Sequence, residues 1–193
     1  MNSLAIRDFT DALAPAFRAI NSDWIEAMFT LEDNDRAILD HPREAILDRG
    51  GIIRFVSAGD LGVVGTCALL RIADGVFELT KMGVLAAARG SGAGAFLLAH
   101  IVAEARAMNL DRVYLLTNAK CAAAIHLYEK AGFVHDAGVM ADFGARYARC
   151  DVAMSLPLGG PTSLPLGGPT SLPLGGPMSL PLGQAGAEQA NAA

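Results

Sequence analysis

The sequence contains few cysteines, and their spacing suits no structural site. Cys67, Cys121 and Cys150 are an odd number without a Cys-x-x-Cys pair. Neither a disulfide framework nor a zinc site is therefore predicted, and no metal ion is expected. Because unpaired thiols are typical of a reducing compartment, the sequence predicts a cytoplasmic protein.

Long apolar runs are also missing. Hydrophobic residues make up 52% of the chain, but charges or glycines interrupt every stretch before it reaches the length of a bilayer span. The segment from Met1 to Asp11 carries Arg7 and Asp8 without an apolar block, so we do not expect a signal peptide. The sequence predicts no membrane partner.

Positive charge is scarce as well. Fifteen Lys and Arg face twenty Asp and Glu, which gives a formal net charge of −5 over 193 residues. A nucleic-acid-binding protein normally carries a basic surface, so no nucleic-acid partner is predicted. The apolar content is sufficient for a packed core, and the length suits one domain with or without an appendage. A homodimer is compatible with this composition.

What the chain has in excess is a repeat at its end. From residue 155 it reads SLPLGGPT twice, then SLPLGGPM and SLPLG, with a period of eight. Seven of the nine prolines lie here, and Glu188 is the one charged residue. Regular proline excludes a helix and weakens any strand. We therefore predict a folded domain over residues 1–154 and a disordered Pro/Gly/Leu octapeptide-repeat tail over residues 155–193.

Within residues 1–154 the pattern predicts a helical N-terminal region, an antiparallel meander and then alternating helices and strands. The Asp74-Gly75 pair between two apolar stretches indicates a tight hairpin. Predicted strands cover 4–7, 52–58, 62–72, 76–84, 112–116, 133–134 and 147–154, and predicted helices cover 11–29, 92–109 and 121–131. Residues 33–48 are predicted to form one or two short helices, with a break at His41-Pro42 and Pro42 suited to a first helical position. The expected fold class is α/β (α+β), with a single mixed, mostly antiparallel sheet flanked by helices.

A glycine-rich segment follows the strand that ends at Val84. The residues from Arg89 to Gly94 read Arg-Gly-Ser-Gly-Ala-Gly and open a long helix. Backbone N–H groups at such a helix start suit phosphate, and Arg89 adds positive charge. A P-loop would need a lysine after the glycines, and a dinucleotide-binding loop would have GxGxxG after an early parallel strand. A helix start with glycines for close packing is the structural alternative.

A second motif lies further along the chain. The residues from Ala124 to Phe133 read AIHLYEKAGF. Together with the Arg-Gly-x-Gly-x-Gly loop, in this order and separated by one helix and one strand, this motif resembles the GNAT N-acetyltransferase family. The resemblance covers most of residues 4–154 and implies the GNAT acyl-CoA N-acyltransferase fold.

The resemblance implies transfer of an acetyl group from acetyl-CoA to a primary amine of a small molecule or protein by direct attack. It implies that backbone groups of Met82, Gly83 and Val84 bind pantetheine. The amides of the glycine-rich loop would hold the pyrophosphate, namely those of Arg89, Gly90, Ser91, Gly92, Ala93 and Gly94. The family usually has proline where this chain has Ala86 and asparagine where it has Cys121; Asn118 is the nearest substitute to contact the pantetheine arm.

Two residues are the candidate catalytic groups. Glu78 precedes Met82 by four residues, as the general base does in some family members, and a structural carboxylate is the alternative. Strict alternation would place Glu78, Thr80, Met82 and Val84 on one face of the strand. Tyr128 is the candidate acid toward the leaving thiolate, because a phenol is protonated at neutral pH; core packing is the alternative.

The acceptor region is expected near Trp24, Phe29, Glu32, Asp33 and Asp35, whose acids would suit a cationic amine. Two other functions stay open at this stage. One is a non-catalytic acyl-CoA-binding or protein-interaction module on the same fold. The other is a nucleotide-binding protein that uses the glycine-rich loop.

Overall fold

The computed structural model describes residues 3–158, so the predicted repeat tail from 159 onward lies outside the described residues. The strands are β1 (Leu4–Asp8), β2 (Ile52–Ala58), β3 (Val63–Ala73), β4 (Val76–Val84), β5 (Arg112–Thr117), β6 (Val134–His135) and β7 (Val152–Leu156). The helices are α1 (Ala14–Met28), α2 (Asp33–Asp40), α3 (Pro42–Ala45), α4 (Ala93–Ala107), α5 (Ala122–Lys130) and α6 (Ala137–Phe143). No helix among these residues is long and apolar enough to span a bilayer.

The strands form one seven-stranded sheet in the order β1-β2-β3-β4-β5-β7-β6. The pairing is antiparallel throughout except between β4 and β5, which run parallel and are connected through α4. Gly75 closes the hairpin between β3 and β4 with a φ of 69°, as the Asp-Gly pair predicts. The predicted mixed, mostly antiparallel sheet is confirmed.

Helices cover both faces of the sheet. One face packs against α4 and α5 through a cluster that includes Leu97, Leu98 and Ile101 of α4, all completely buried. The other face packs against α1 and α2 through Phe17, Ile25 and Phe55, and α6 extends this layer over β7. The burial of these side chains on both faces is the main apolar stabilisation of the fold.

A β-bulge in β4 changes the direction of the side chains after it. Ala68 of β3 pairs with Thr80, but Thr66 pairs with Gly83, so one extra residue lies in β4 between them. Lys81 has a φ of 50° at this point. The expected alternation is therefore wrong beyond Thr80: Met82 and Val84 pack with the cluster under α4, while Glu78 and Thr80 belong to the opposite face.

The end of the folded chain also differs from the prediction. The strand expected from residue 147 begins at Val152, because Tyr147 to Asp151 form a loop. It continues through Leu156, two residues beyond the predicted boundary, and Leu158 packs against the core. Helix α6 was not predicted, although Asp136 caps it by accepting a hydrogen bond from the Val139 N–H at 3.0 Å.

Candidate active site

A cleft opens in the sheet where β4 and β5 separate. Their ladder pairs Val76 to Leu79 with Arg112 to Leu115, and it ends there although both strands continue. The bulge at Lys81 follows directly, which turns the rest of β4 away from its neighbour. The cleft is lined by residues of both strands, α1, the start of α5 and the loop before β7, namely Trp24, Phe29, Leu79, Thr80, Lys81, Met82, Leu115, Leu116, Thr117, Asn118, Cys121, Tyr128, Tyr147, Arg149 and Cys150.

The last part of β4 presents free backbone groups to this cleft. Leu85 donates its N–H to Val64 of β3, so Gly83, two residues earlier, also faces β3. Because the N–H and C=O of one peptide unit point in opposite directions, the Met82 carbonyl and the Val84 N–H point to the open edge. Two of the three predicted pantetheine contacts thus face the cleft, and Gly83 does not.

Gly83 has a different role, which is to admit Trp24. A Cβ at this position would lie 2.6 Å from the Trp24 Cδ1 atom. The indole can therefore pack on the strand only while residue 83 lacks a side chain. Its Nε1–H donates to Asn21 Oδ1 at 3.2 Å, which fixes the ring at the wall of the cleft.

The glycine-rich loop continues from this edge to the start of α4. Gly90 and Gly92 have φ values of 78° and 86°, and a Cβ at either would meet nothing within 4 Å. The Ser91 hydroxyl donates to the Ala88 carbonyl at 2.7 Å and shapes the turn. Within residues 3–158, the N–H groups of Gly92 and Gly94 donate to no acceptor, so they are free for an anion.

Tyr128 reaches the cleft from α5. Its side chain is 7% exposed and packs on Phe133 with ring centroids 5.9 Å apart. Burial raises the pKa of the Tyr128 phenol, so the hydroxyl keeps its proton at neutral pH. Within the described part of the chain this hydroxyl makes no hydrogen bond, and Cys121 lines the same cleft beside it.

Asn118 lies at the end of β5 and holds two loops together. Its side-chain amide donates to the Arg149 carbonyl at 2.6 Å, and its Oδ1 accepts from the Lys120 N–H at 2.9 Å. One amide hydrogen remains for a ligand in the cleft.

Glu78 is buried beneath the cleft rather than in its wall. It is 1% exposed, and its Oε2 lies 3.2 Å from Arg146 Nη1. That oxygen forms an ion pair without well-directed hydrogen bonds. Thr80, two residues further along the same face of β4, does line the cleft.

A buried polar network on the acceptor side was missed by the sequence reasoning. Lys81 Nζ donates to Asp35 Oδ1 at 2.8 Å and to the Tyr147 hydroxyl at 3.3 Å. Arg149 donates to both oxygens of Asp35, at 2.6 and 2.9 Å, and to Glu32 Oε1 at 3.0 Å. No local signal connects these residues, since they come from α2, β4 and the loop before β7.

The network neutralises the acids that were expected to attract a cationic amine. Burial alone would raise the pKa of Asp35, but hydrogen bonds from Arg149 and Lys81 lower it to about 2. Asp35 and Glu32 are therefore engaged as carboxylates with Lys81 and Arg149. They do not line the cleft, whereas the two cations do.

Comparison with known proteins agrees with this geometry. The model of the acetyltransferase (GNAT) family matches residues 7–133. An amino-acid acetyltransferase of Ralstonia nicotianae is 35% identical over 96 residues, which are 49% of this chain and 20% of that protein. The chain thus spans about a fifth of the length of this curated relative.

Solved structures share the fold. An acetyltransferase of the GNAT family from Staphylococcus aureus superposes with a TM-score of 0.70 at 18% identity, covering 80% of this chain and 98% of that one. A ribosomal-protein-alanine N-acetyltransferase from Brucella melitensis gives a TM-score of 0.60 at 27% identity, covering 78% and 98%.

The family match covers about two thirds of the chain, and it includes the divergent strands, the glycine-rich loop and Tyr128. The prediction of the GNAT acyltransferase fold is confirmed. The chain belongs to the GNAT family of acetyltransferases.

Proposed function

We propose that the protein transfers an acetyl group from acetyl-CoA to a primary amine that attacks the thioester directly. The observation that carries this proposal is the cleft between β4 and β5, whose open β4 edge is joined to the glycine-rich loop by a single 3-10 turn at Ala86–Ala88. An extended pantetheine arm fits beside a free strand edge, and a pyrophosphate fits at a helix start with free N–H groups.

Main-chain groups form most of the acetyl-CoA site in this proposal. The free N–H groups of Gly92 and Gly94 hold the pyrophosphate, whereas those of Arg89 and Ser91 donate to the Ala86 and Ala88 carbonyls and shape the loop. The Met82 carbonyl and Val84 N–H bond to the pantetheine amides. Asn118 uses its remaining amide hydrogen on the same arm. Backbone N–H groups near the bulge stabilise the negative charge that develops on the thioester oxygen.

Glu78 is the proton acceptor in this proposal, and Tyr128 is the proton donor. Glu78 accepts a proton from the attacking amine through a water or hydroxyl relay past Thr80, since its carboxylate does not reach the cleft itself. Tyr128 donates its hydroxyl proton toward the thiolate that leaves. Its free hydroxyl supports this role, and burial keeps the phenol protonated, so it can donate a hydrogen bond to the thiolate as the bond to the acetyl group breaks.

The names of relatives suggest two kinds of acceptor. One relative is an amino-acid acetyltransferase, and another is a ribosomal-protein-alanine N-acetyltransferase. Both a small-molecule amine and a protein N-terminus are therefore supported. We also propose a cytoplasmic location, because Cys67, Cys121 and Cys150 are all free thiols. Light scattering would distinguish a monomer from the homodimer that the composition permits.

The test of the function is release of the CoA thiol from acetyl-CoA across a panel of amines, with mass spectrometry of the product. We expect one class of amine to be acetylated far above the rate of hydrolysis. Tight CoA binding with no acetylated product from any amine would favour a non-catalytic acyl-CoA-binding module. Stabilisation by ATP or NAD but not by CoA would contradict the assignment of the loop.

A further inference from the structure

The charged side chains that line the cleft have one sign. Among the described residues these are Lys81 and Arg149, both cations, and no carboxylate lines it. Lys120 adds a third positive group close by, since its Nζ lies 5.9 Å from the centre of the Phe29 ring, which also lines the cleft. The charged groups that an acceptor meets in this lining are therefore N–H donors, which suit an anionic group.

Arg149 retains unused hydrogen-bonding capacity. Its Nη1 donates to Glu32 and Asp35, and its Nη2 donates to Asp35. A guanidinium carries five N–H bonds. Within residues 3–158, the Nε–H and the second Nη2–H make no hydrogen bond. These two adjacent donors form one edge of the guanidinium, with the spacing that a carboxylate accepts in a bidentate pair.

The guanidinium is held rigidly for such a contact. Its Cζ lies 4.9 Å from the centre of the Tyr147 ring and 6.0 Å from that of Phe29. Asp35 and Glu32 hold the other edge, and the side chain is 16% exposed. A fixed and partly desolvated guanidinium loses little conformational entropy when it binds an anion, which favours affinity.

We propose that the acceptor is a free amino acid, whose carboxylate binds the Nε/Nη2 edge of Arg149 so that its amine lies toward the acetyl group. This inference rests on the proposed acetyl transfer and names its substrate class. The zwitterion suits a site in which Lys81 and Arg149 are balanced by Asp35 and Glu32. Its carboxylate finds a paired donor in the cleft.

The first test compares amino acids with their own primary amides and with the decarboxylated amines. All three have an amine at the same carbon, and they differ in the carboxylate. We expect kcat/KM for the best amino acid to exceed that for its amide by about 100-fold, as for loss of a buried charge partner. The amide is the easier nucleophile, because its amine is less basic, so this preference would run against intrinsic reactivity.

The second test changes the protein. Arg149→Lys keeps the charge but removes the fork, and we expect it to reduce the preference for acid over amide to less than about tenfold. The readout is the ratio of kcat/KM for the acid to that for the amide within each protein, because a general loss of activity lowers both values and leaves this ratio unchanged. Arg43→Lys is the matched control, because Arg43 is an exposed cation paired with Asp11 away from the cleft.

Equal use of acids and amides by the wild-type enzyme would overturn the proposal, as would an equal loss for both in Arg149→Lys. Calorimetric titration of the CoA-saturated protein with amino acid and with amide gives a readout without turnover. If no amine is acetylated but the acid binds and the amide does not, the carboxylate site stands and the proposed reaction fails. If neither binds while other amines are acetylated, the reaction stands and the carboxylate site is wrong.

Discussion

Glu78 shows how one side chain serves the fold and is still available for catalysis. Its carboxyl group is almost completely buried, which requires a polar partner, and Arg146 supplies it. The same placement leaves the carboxylate outside the lining of the cleft, to which Thr80 of the same strand face contributes. A general base at this position works through an intervening hydroxyl or water. Its contribution to kcat should depend on pH, because the base helps only while the acceptor amine has a proton to lose.

We expect Glu78→Gln to lower kcat by about 100-fold near neutral pH, at the lower end of what a general base contributes. The deficit should shrink as the pH approaches the pKa of the acceptor amine, because the amine then loses its proton without help. Rates across a pH series, with acetyl-CoA affinity measured separately, test this expectation. Glu26→Gln, an exposed glutamate on α1, is the matched control. A loss that is equal at every pH would remove Glu78 as the base.

Asp35 is the residue on which the acceptor-side network depends. Its pKa of about 2 lies below the ordinary value of 3.8, so its ionised form is stabilised by folding. That contribution is complete above about pH 4 and is lost as the pH falls toward 2. It corresponds to about 2 kcal/mol of the free energy of unfolding.

In Asp35→Asn, this pH-dependent contribution to the free energy of unfolding should be absent when urea unfolding is measured at several pH values. Near pH 7 the variant should also lose about 3 kcal/mol, because Lys81 stays buried without its carboxylate. Asp33→Asn is the matched control, since Asp33 is exposed in the first turn of the same helix. Identical pH profiles for wild type and Asp35→Asn would show that the network does not hold Asp35 ionised.

At the scale of elements, the predictable features are those with a local cause. The turn at Asp74-Gly75, the helix start at Pro42 and the bounds of β2 and β4 follow from residues next to one another. The bulge at Lys81 does not, because Lys81 adopts a φ of 50° while its ammonium contacts Asp35, 46 positions away in the chain. Sequence alternation alone therefore assigned Met82 and Val84 to the face of Glu78, and the cleft geometry followed only from the structure.

Substitutions at glycines in two turns can separate the effect of backbone strain on stability from the effect on ligand binding at the start of α4. Gly92 has a left-handed conformation and open space around it. Gly62, in the turn before β3, also has a positive φ and open space, but its ψ of −141° is less accessible to other residues. Gly62→Glu should therefore cost at least as much stability as Gly92→Glu, for which we expect about 1 to 2 kcal/mol. Only Gly92→Glu places a carboxylate beside the free N–H groups of the loop.

We expect Gly92→Glu to weaken CoA binding by about 100-fold in calorimetric titration, whereas Gly62→Glu leaves it unchanged. Wild-type affinity for CoA in Gly92→Glu would show that the pyrophosphate does not bind at the start of α4. Loss of affinity in both variants would indicate a general effect of strain rather than the loss of an anion site.

At the scale of the whole molecule, the boundary between the domain and the repeat is set by β7. This strand lies between β5 and β6, and it buries Met154 and Leu156 in the core under α4. The first residues of the repeat, Ser155 to Leu158, therefore belong to the folded part, which composition alone could not indicate. Leu156 and Leu158 pack with the core because β7 is the strand that pairs with β5 at this position.

Two truncations test this boundary. A chain that ends at Leu158 keeps every strand and helix described above, so we expect its melting temperature and its acetyl-CoA affinity to match those of the full chain. A chain that ends at Cys150 loses β7 and leaves β5 with an unpaired edge and the core open, so we expect it not to fold cooperatively. Circular dichroism during thermal unfolding distinguishes the two. A fall in melting temperature of several degrees for the chain that ends at Leu158 would show that residues 159–193 stabilise the domain, and the proposed division of the chain would then be wrong.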